Sequence, residues 1–365
     1  MKKFSKNSSL NPMNIDWAKV VAVGIDLGDR ASRFVCLDNT GERIGEGSVA
    51  TARATIERQF GSIGSKVIAI ETGTHSPWVS RLLRKLGHEV TVANSRKLRL
   101  IYENRNKNDN VDAEYLARLV RVDPKLLSPV QHRSERAQEH VALFRSRDVL
   151  VRTRTTLITH MRGMVKSTGT RLPSCSAEAF SVRAAEAIPP SLRLALEPVL
   201  KLLVELTTQI RSFDRKIERL LEDEYREVKV LTQIKGVGAL TALAFAVTVG
   251  DPGRFARSRA IGPWVGLTPG QRASGQQDPQ QRITKQGDGY LRRLLVNCAQ
   301  YILGDFGEDC DLRRHGLAIA ARGGKNAKKR AVIAVARKLA VLLHRLWCTQ
   351  AVYEPLRHHR AVDAA

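Results

Sequence analysis

Four acidic residues are spaced so that the chain could gather them around metal ions. Asp26 interrupts one apolar stretch, and Glu71 directly follows a second one. Asp109 and Asp112 are three residues apart at the start of a predicted helix, so both side chains project from one helix face. Carboxylates that converge raise one another's pKa, and two divalent cations would relieve this repulsion and polarise a phosphodiester. The four together predict a site for Mg²⁺ or a similar divalent metal, although each acid alone is more often a strand-end, turn or helix-cap residue.

The elements that would position these acids lie in the first third of the chain. Alternating apolar residues and turn residues predict three antiparallel strands, followed by helix, strand, helix, strand and helix. This order is that of the ribonuclease H type of fold, with Asp26 on the first strand and Glu71 at the C-terminal end of the fourth. The predicted elements are Val20–Gly28, Ser32–Asp38, Glu42–Ala50, Ala52–Phe60, Lys66–Ile70, Ser76–Leu86, His88–Ala93 and a helix from Asp109 to about Val122.

The charge of the chain indicates a polyanionic partner. The 365 residues carry a formal charge of +24 that is spread along the sequence, which favours nucleic acid first and an anionic membrane surface second. The longest apolar run, Ala239–Gly250, is too short to cross a bilayer, and the N-terminus has no apolar signal-peptide segment. A cytoplasmic protein, associated with the nucleoid when bound to DNA, is therefore expected. The five cysteines lack CxxC spacing and are interpreted as plain thiols.

Two long helices are predicted in the middle of the chain. Ser134–Lys166 has one apolar side, and its remaining surface carries arginines that suit either solvent or a nucleic-acid backbone. A second helix, from about Glu197 to Tyr225 with Pro198 in its first turn, carries a heptad seam over about three repeats. Such a seam fits an antiparallel hairpin or a dimerising coiled coil. The intervening Gly169–Pro190 is predicted to be mostly loop.

A Gly-Val-Gly turn follows these helices. It lies in the segment Ile234–Leu240 between two short apolar helices and resembles the helix-hairpin-helix, whose backbone N–H groups face a phosphate. Lys235, Gly236 and Gly238 are the candidate nucleic-acid contacts of this turn. The alternative is a turn between helices that merely pack together.

A serine in a polar, basic segment is the candidate nucleophile. Ser274 lies between Arg272 and Gly275, with Lys285 further along, and such cations would stabilise an alkoxide and the charge that develops on phosphorus. Composition alone favours an ordinary loop serine. A second basic segment leads into an apolar helix and suits phosphate binding through Lys325, Lys328, Lys329 and Arg330.

The chain as a whole resembles the DEDD-type transposases of the insertion-sequence family numbered one hundred and ten, which are related to the Piv DNA invertase. The family's tetrad falls on Asp26 in Gly-Ile-Asp-Leu-Gly, on Glu71 in Ile-Glu-Thr-Gly, and on Asp109 and Asp112 in Lys-Asn-Asp-Asn-Val-Asp-Ala. Its C-terminal pattern falls on Gly266-Leu-Thr-Pro, Ser274-Gly275, Ile283-Thr-Lys-Gln-Gly287 and Leu291-Arg292. No departure from the family occurs in the tetrad or at the serine.

The resemblance implies a fold and an activity. The implied architecture is an α/β RuvC-like domain at 1–133, a helical coiled-coil connector at 134–227 and a mainly helical transposase domain with a helix-hairpin-helix at 228–365. The implied reaction cuts and rejoins donor and target DNA, with Mg²⁺ on the tetrad and Ser274 forming a covalent protein-DNA intermediate. Homo-oligomers with composite active sites, and guidance by a bridge RNA that the element encodes, are further implications.

Three other functions fit parts of the sequence. Gly24-Ile-Asp-Leu-Gly28 also resembles the phosphate-binding strand of actin-like ATPases and sugar kinases, but the second Asp-x-Gly loop of that class is not found in a convincing context. A non-catalytic nucleic-acid-binding protein would use the hairpin and the basic helices alone. A Holliday-junction nuclease would use the four acids with water and form no covalent intermediate.

Overall fold

The structure, a computed structural model, describes residues 15–97, 109–271 and 281–357, without the side chains of Arg96 and Asp109. Its described residues form two compact units that divide between His132 and Arg133. In the first unit the elements are β1 (Ala22–Asp26), β2 (Ala31–Leu37), β3 (Arg43–Ala50), α1 (Arg53–Phe60), β4 (Val67–Glu71), α2 (Ser76–Lys85), β5 (Glu89–Ala93) and α3 (Asp109–Val122).

The first unit is built on a five-stranded mixed sheet with the order β3-β2-β1-β4-β5. Strands β1, β2 and β3 pair antiparallel, whereas β4 pairs parallel with both β1 and β5. The parallel pairs are joined through α1 and α2, because strands that run in the same direction need a crossover connection. The predicted order of strands and helices is confirmed, with strand ends that differ by one or two residues.

Helices cover both faces of this sheet. On one face, Val23 and Ile25 of β1 join an apolar cluster with the buried residues of α1 and α2. On the other face, Ala22 of β1 and Ala69 of β4 pack against Leu116 of α3. The residues of β1 therefore alternate strictly between a bulky core and a core of small side chains, which lets α3 lie close to the strand.

The second unit is helical. Its α-helices are α4 (Glu135–Lys166), α5 (Phe180–Ala185), α6 (Arg193–Asp223), α7 (Ala239–Val249), α8 (Ile261–Val265), α9 (Gly289–Leu303), α10 (Asp311–Ala321) and α11 (Ala327–Thr349). In the core of its C-terminal part, the buried side of α11 packs with α7, α8 and α9. Across the described ranges of both units, no helix is long and apolar enough to span a bilayer.

Helices α4 and α6 form an antiparallel hairpin within the chain. Met161 near the end of α4 packs with Leu203 in the first half of α6, and Phe144 near the start of α4 clusters with Ile217 near the end of α6. The heptad seam is thus covered by α4 of the same chain, which corresponds to the hairpin alternative. The cysteines of the structure are free thiols, as predicted.

Two predicted elements need correction, and a third contains a short helix. Helix α6 begins at Arg193, so Pro198 lies inside it; the residue one turn earlier, Leu194, is 94% exposed, and water can satisfy the carbonyl that the proline cannot bond. The segment Gly169–Pro190, predicted to be mostly loop, is mostly irregular and also contains the short helix α5, whose Phe180 is buried against α4 and α6. The element before the Gly-Val-Gly turn is the 3₁₀ helix Arg226–Gln233 rather than an α-helix.

Candidate active site and nucleic-acid interface

Asp26 and Glu71 end two neighbouring strands of the sheet. Ile25 of β1 pairs in parallel register with Ile70 of β4, so the two acids occupy the next positions of strands about 4.8 Å apart. Each acid lies two residues beyond a residue that faces α3, namely Gly24 in β1 and Ala69 in β4. Because side chains alternate along a strand, both acids project from the α3 face of the sheet.

Gly24 sets how closely α3 approaches these acids. A Cβ atom on this residue would lie 1.9 Å from the carbonyl oxygen of Ala113 and 2.5 Å from the nitrogen of Ala117, both in α3. Only glycine allows a helix backbone this close to the strand. Asp112, the residue before Ala113, is only 6% exposed, and the close approach places its helix turn beside the end of β1. The glycine therefore has a positioning role that its place in the motif did not reveal.

Polar contacts hold α3 to the β2–β3 hairpin. Asn110 donates a hydrogen bond to Glu46 at 3.2 Å, and Arg118 donates to the carbonyl oxygen of Gly41 at 3.1 Å. Arg118 also pairs with Glu114 at 2.6 Å, one turn earlier on the same helix. Charge-assisted bonds of this kind fix the rotation of α3, and thus the direction in which Asp112 points.

The loops that follow β4 and β5 form an ordered rim around this edge of the sheet. A hydrogen bond of 2.8 Å joins the hydroxyl groups of Thr72 and Ser95. The fully buried Ser76 accepts from the backbone N–H of Gly73 at 3.0 Å and is joined to His132 Nε2 at 2.9 Å. Thr72 and Gly73, directly after Glu71, are therefore each held in place by a hydrogen bond.

The acids have the donor chemistry of a site for a hard cation. Carboxylate oxygens are the ligands that Mg²⁺ and Mn²⁺ prefer, and Asp26 and Glu71 present them on one face of the sheet. The described side chains contain no group of three or more His, Cys, Asp or Glu residues placed to hold one ion. The side chain of Asp109 lies outside that description, so the complete tetrad stays a prediction.

The predicted serine lies in a segment whose two ends are paired. Pro269 and Ile283 form an antiparallel bridge, Gly270 donates to the carbonyl oxygen of Arg282 at 3.0 Å, and Thr284 donates to that of Thr268 at 2.9 Å. These bonds define a hairpin stem of residues 268–271 and 281–284. Ser274 and Arg272 belong to the connection between the two halves and lie outside the described residues.

The motif residues on either side of Ser274 build the base of this stem. Gly266 has φ +76°, and a Cβ atom there would lie 2.2 Å from the carbonyl oxygen of Gln286. Gly287 has φ +79°, and a Cβ atom there would lie 2.2 Å from the carbonyl oxygen of Trp264. Arg292 donates to the carbonyl oxygens of Val265 and Gln286 at 2.9 and 3.0 Å. The two glycines let the backbone segments at 264–266 and 285–287 lie in contact, and the hydrogen bonds of Arg292 stabilise that contact.

Some of the predicted basic contacts line a common cleft. Lys285, Lys329 and Arg330 border an opening of 830 Å³ between the hairpin stem and helices α10 and α11. Lys325 and Lys328 are exposed but do not line it. Three further cations of the cleft, Arg282, Arg322 and Arg337, were not among the predicted contacts. The spacing of seven residues between Arg330 and Arg337, which places both on one face of α11, was the sequence signal that could have identified Arg337.

The Gly-Val-Gly turn is a tight turn in front of a buried helix. Val237 donates to the carbonyl oxygen of Ile234 at 2.9 Å, and Gly236, with φ +92°, packs against the ring of Tyr301. Lys235 forms a 3.4 Å ion pair with Glu308. Gly238 caps α7, whose residues from Thr241 onward are buried. The turn geometry leaves both interpretations of this segment in place, phosphate contact and simple packing.

Comparison with known proteins connects both halves of the chain with transposition. A family model described as "Transposase IS116/IS110/IS902 family" matches residues 228–309, and a DEDD transposase model of IS110 elements matches residues 23–169. The transposase for insertion sequence element IS1111A of Coxiella burnetii is 30% identical over 259 residues, which cover 69% of this chain and 70% of that protein. The chain belongs to the IS110 family of transposases.

Other relatives agree with this IS110 family assignment. The transposase for insertion sequence element IS1328 of Yersinia enterocolitica is 29% identical over 285 residues, covering 77% of this chain and 83% of that protein. A probable family 20 transposase of Pseudomonas aeruginosa is 28% identical over 316 residues, covering 83% and 90%. The chain is therefore an enzyme that acts on DNA, rather than an actin-like ATPase or a non-catalytic binding protein. Its DEDD domain implies a divalent metal requirement.

The IS110 family match assigns the two candidate sites to different domains. The DEDD model spans all four acids, and the C-terminal model spans Ser274 with the hairpin stem around it. In the structure these stretches belong to different compact units. The stem, with Gly266, Gly287 and Arg292, thus lies within the C-terminal transposase match.

Proposed function

We propose that this transposase cuts and rejoins the DNA strands of an insertion sequence by transesterification at Ser274, with Asp26, Glu71, Asp109 and Asp112 as metal ligands. The observation that carries the proposal is the placement of Asp26 and Glu71 on one face of adjacent parallel strands, beneath the helix that bears Asp112. Carboxylates that are close together repel one another and destabilise the fold unless a cation is bound, so their presence at this edge, in a chain of +24 charge, favours a role in metal binding. We further propose that the sheet is of the ribonuclease H (RuvC-like) type.

The proposed reaction conserves phosphodiester bonds. The Ser274 hydroxyl oxygen attacks a DNA phosphorus, the bond from phosphorus to the departing deoxyribose oxygen breaks, and that oxygen takes up the proton that the serine loses. Attack by the hydroxyl of the joining strand reverses the exchange and releases the serine. The divalent metal, when bound, supplies charge stabilisation at the reacting phosphate. Because the serine ester stores the bond energy, rejoining needs no nucleotide cofactor.

The acids and the serine belong to separate units, and this supports composite active sites. We propose that the acids of one subunit act beside Ser274 of another in a homo-oligomer. The remaining basic surface would hold donor and target DNA, and would suit an element-encoded guide RNA equally well, since both present phosphates. Lys235, Gly236, Gly238, Lys325 and Lys328 remain candidate contacts for these nucleic acids.

The test uses the purified full chain, DNA with the element's own ends, and Mg²⁺. Wild-type protein is expected to give strand cleavage, rejoined product and a protein-DNA adduct that survives denaturation. Ser274→Ala should bind the DNA and give no adduct, Asp26→Asn should bind it without cleavage, and the matched control Ser174→Ala should behave as wild type. Metal-dependent cleavage by Ser274→Ala without an adduct would instead identify a Holliday-junction-type nuclease and would overturn the covalent step.

A further inference from the structure

The cleft beside the hairpin stem is lined by apolar side chains and by cations. Residues of the stem, of α11 and of the end of α10 contribute to both kinds. We call the six apolar residues the floor of the cleft and the six cations its rim. The apolar residues are Leu267, Pro269, Ile283, Ile319, Ile333 and Ala334, and the cations are Arg282, Lys285, Arg322, Lys329, Arg330 and Arg337.

The positive charge of this cleft has no acidic counterpart among the residues that the structure describes. Among the described lining residues there is no Asp or Glu. None of the six cations lies within 4.0 Å of a carboxylate group in the described part of the chain, although ion pairs are frequent elsewhere in the same unit, as at Arg147 and Arg154. Six cations around one opening, without an acidic partner in the described ranges, produce a strong local potential for a polyanion.

His315, on α10, responds to that potential. Burial lowers the pKa of His315, and the positive charges of Lys338, Arg337 and Arg322 lower it further. Two of these three cations line the cleft. The neutral form of His315 is therefore favoured by the same positive charge of the cleft that an anionic ligand would offset.

We propose that this cleft binds one unpaired nucleotide of a DNA strand, with the base on the apolar floor and the flanking phosphates on the cationic rim. The proposal rests on the function proposed above in one respect, that the polyanion is the DNA substrate. The cleft has a volume of 830 Å³, which is in the range of pockets that hold an organic molecule of nucleotide size or larger. The hairpin stem that lines the cleft is continuous in sequence with the segment that contains Ser274.

The apolar floor favours an unpaired nucleotide over duplex DNA. A duplex presents phosphates and sugars to a protein surface and keeps the faces of its bases stacked inside, so it would use the cations and leave the floor exposed to water. An unpaired base has an exposed flat face that gains from covering apolar side chains. Sites for single strands combine a positive groove along the backbone with side chains, usually aromatic, that cover the faces of the bases. In the described lining of this cleft, aliphatic side chains would take that second role.

The test measures binding without catalysis, in metal-free buffer with Ser274→Ala protein. Fluorescence anisotropy compares a labelled single strand of DNA, the same strand with abasic positions, its duplex, and the corresponding RNA strand. Arg337→Gln should weaken single-strand binding and reduce the slope of log K against log salt by about 0.7. Arg345→Gln, a charge removal on the same helix outside the cleft, is the matched control and should leave affinity and slope unchanged.

Substitution of the floor separates base binding from phosphate binding. Ile319→Asn removes apolar surface from a half-buried position and should weaken single-strand binding about fivefold, with an unchanged salt slope. It should also abolish the preference for a normal strand over an abasic one. Thermal unfolding of each variant checks that the fold is intact.

Three outcomes would overturn the proposal. If the variants lose equal affinity for single-stranded and duplex DNA, the cleft is a general phosphate-binding surface. If Ile319→Asn still prefers the normal strand over the abasic strand to the same degree, the base does not lie on the apolar residues. Tighter and equally variant-sensitive binding of the RNA strand would assign the cleft to RNA. Because no step of this test needs cleavage, its failure leaves the Ser274 adduct experiment standing, and loss of the adduct leaves this binding result standing.

Discussion

Gly24→Ala is the substitution that tests most directly whether the packing of α3 positions the acids. The added Cβ atom would lie 1.9 Å from the Ala113 carbonyl oxygen, against an ordinary contact of at least 3.4 Å. The atoms it meets are backbone and cannot rotate away, so α3 would have to move back from β1 by about 1.5 Å. The cost in unfolding free energy should be about 1–3 kcal/mol, as for other overpacked cores.

The catalytic effect of Gly24→Ala should exceed its effect on stability. A displacement of about 1 Å in a positioned group lowers rates by about 100-fold, and α3 carries Asp112 one residue from the point of contact. The assay is the initial rate of Mg²⁺-dependent strand cleavage, alongside DNA affinity and urea unfolding at the same temperature. Affinity should stay near that of wild type, because the cationic cleft belongs to the other unit.

The matched control for this test is Gly163→Ala. Gly163 is an exposed residue of α4 where an added Cβ atom meets nothing within 4 Å, so the same chemical change should leave cleavage unaffected. If Gly24→Ala cleaves within about threefold of wild type while remaining folded, the close approach of α3 to β1 does not set the geometry of the acids. The positional argument for the tetrad would then be refuted.

Two further predictions concern the stem and the sheet core. Arg292→Leu removes the donors to two backbone carbonyl oxygens and should lower the unfolding free energy, measured by urea titration, by about 1.5–3 kcal/mol. The yield of the Ser274 adduct should fall with it. Unchanged adduct formation would show that the stem is not needed for the reaction. Burial raises the pKa of Cys36 from 9.0 to about 12 and closes its thiol to solvent, so this thiol should resist disulfide reagents at pH 8. Cys348 should react faster because it is exposed, although partial burial raises its pKa as well. Because the folded pKa of Cys36 is the higher one, the contribution of its thiol to stability is complete below pH 9 and is lost between pH 9 and 12, and Cys36→Ala should remove that part of the pH dependence.

The sheet could be predicted from the sequence because each strand carries its own pattern. Alternation and turn residues gave β1 to β5 in the correct order, and the position of Asp26 within an apolar strand is visible directly in the sequence. The start of α6 was missed because Pro198 normally marks a first turn, whereas here a solvent-exposed first turn tolerates it. The heptad seam could not distinguish a hairpin from a dimer, since the same apolar spacing serves either partner.

The close contacts of the site could not be predicted, because they depend on pairs of distant residues. Nothing in the neighbours of Gly24 indicates that Ala113 will approach it, and nothing near Gly287 indicates contact with Trp264. Gly266 and Gly287 of the C-terminal motif are needed because a Cβ atom at either position would collide with backbone, and neither glycine takes part in the proposed reaction itself. They allow two backbone segments to touch, and the stem they support fixes where the Ser274 segment begins and ends.

The basic charge of the chain is used in two different ways, and this separates structural arginines from binding ones. Along α4 the arginines that the sequence left open for nucleic acid mostly pair with acids of the same chain: Arg145 with Asp288, Arg147 with Asp214, Arg152 with Asp148 and Arg154 with Glu178. Their charges are satisfied within the fold and contribute little to an external field. The cations of the cleft have no such partners in the described part of the chain. Net charge therefore indicates the class of partner. The lack of acidic partners among the described residues indicates where that partner binds, and in this transposase it points to the cleft beside the hairpin stem.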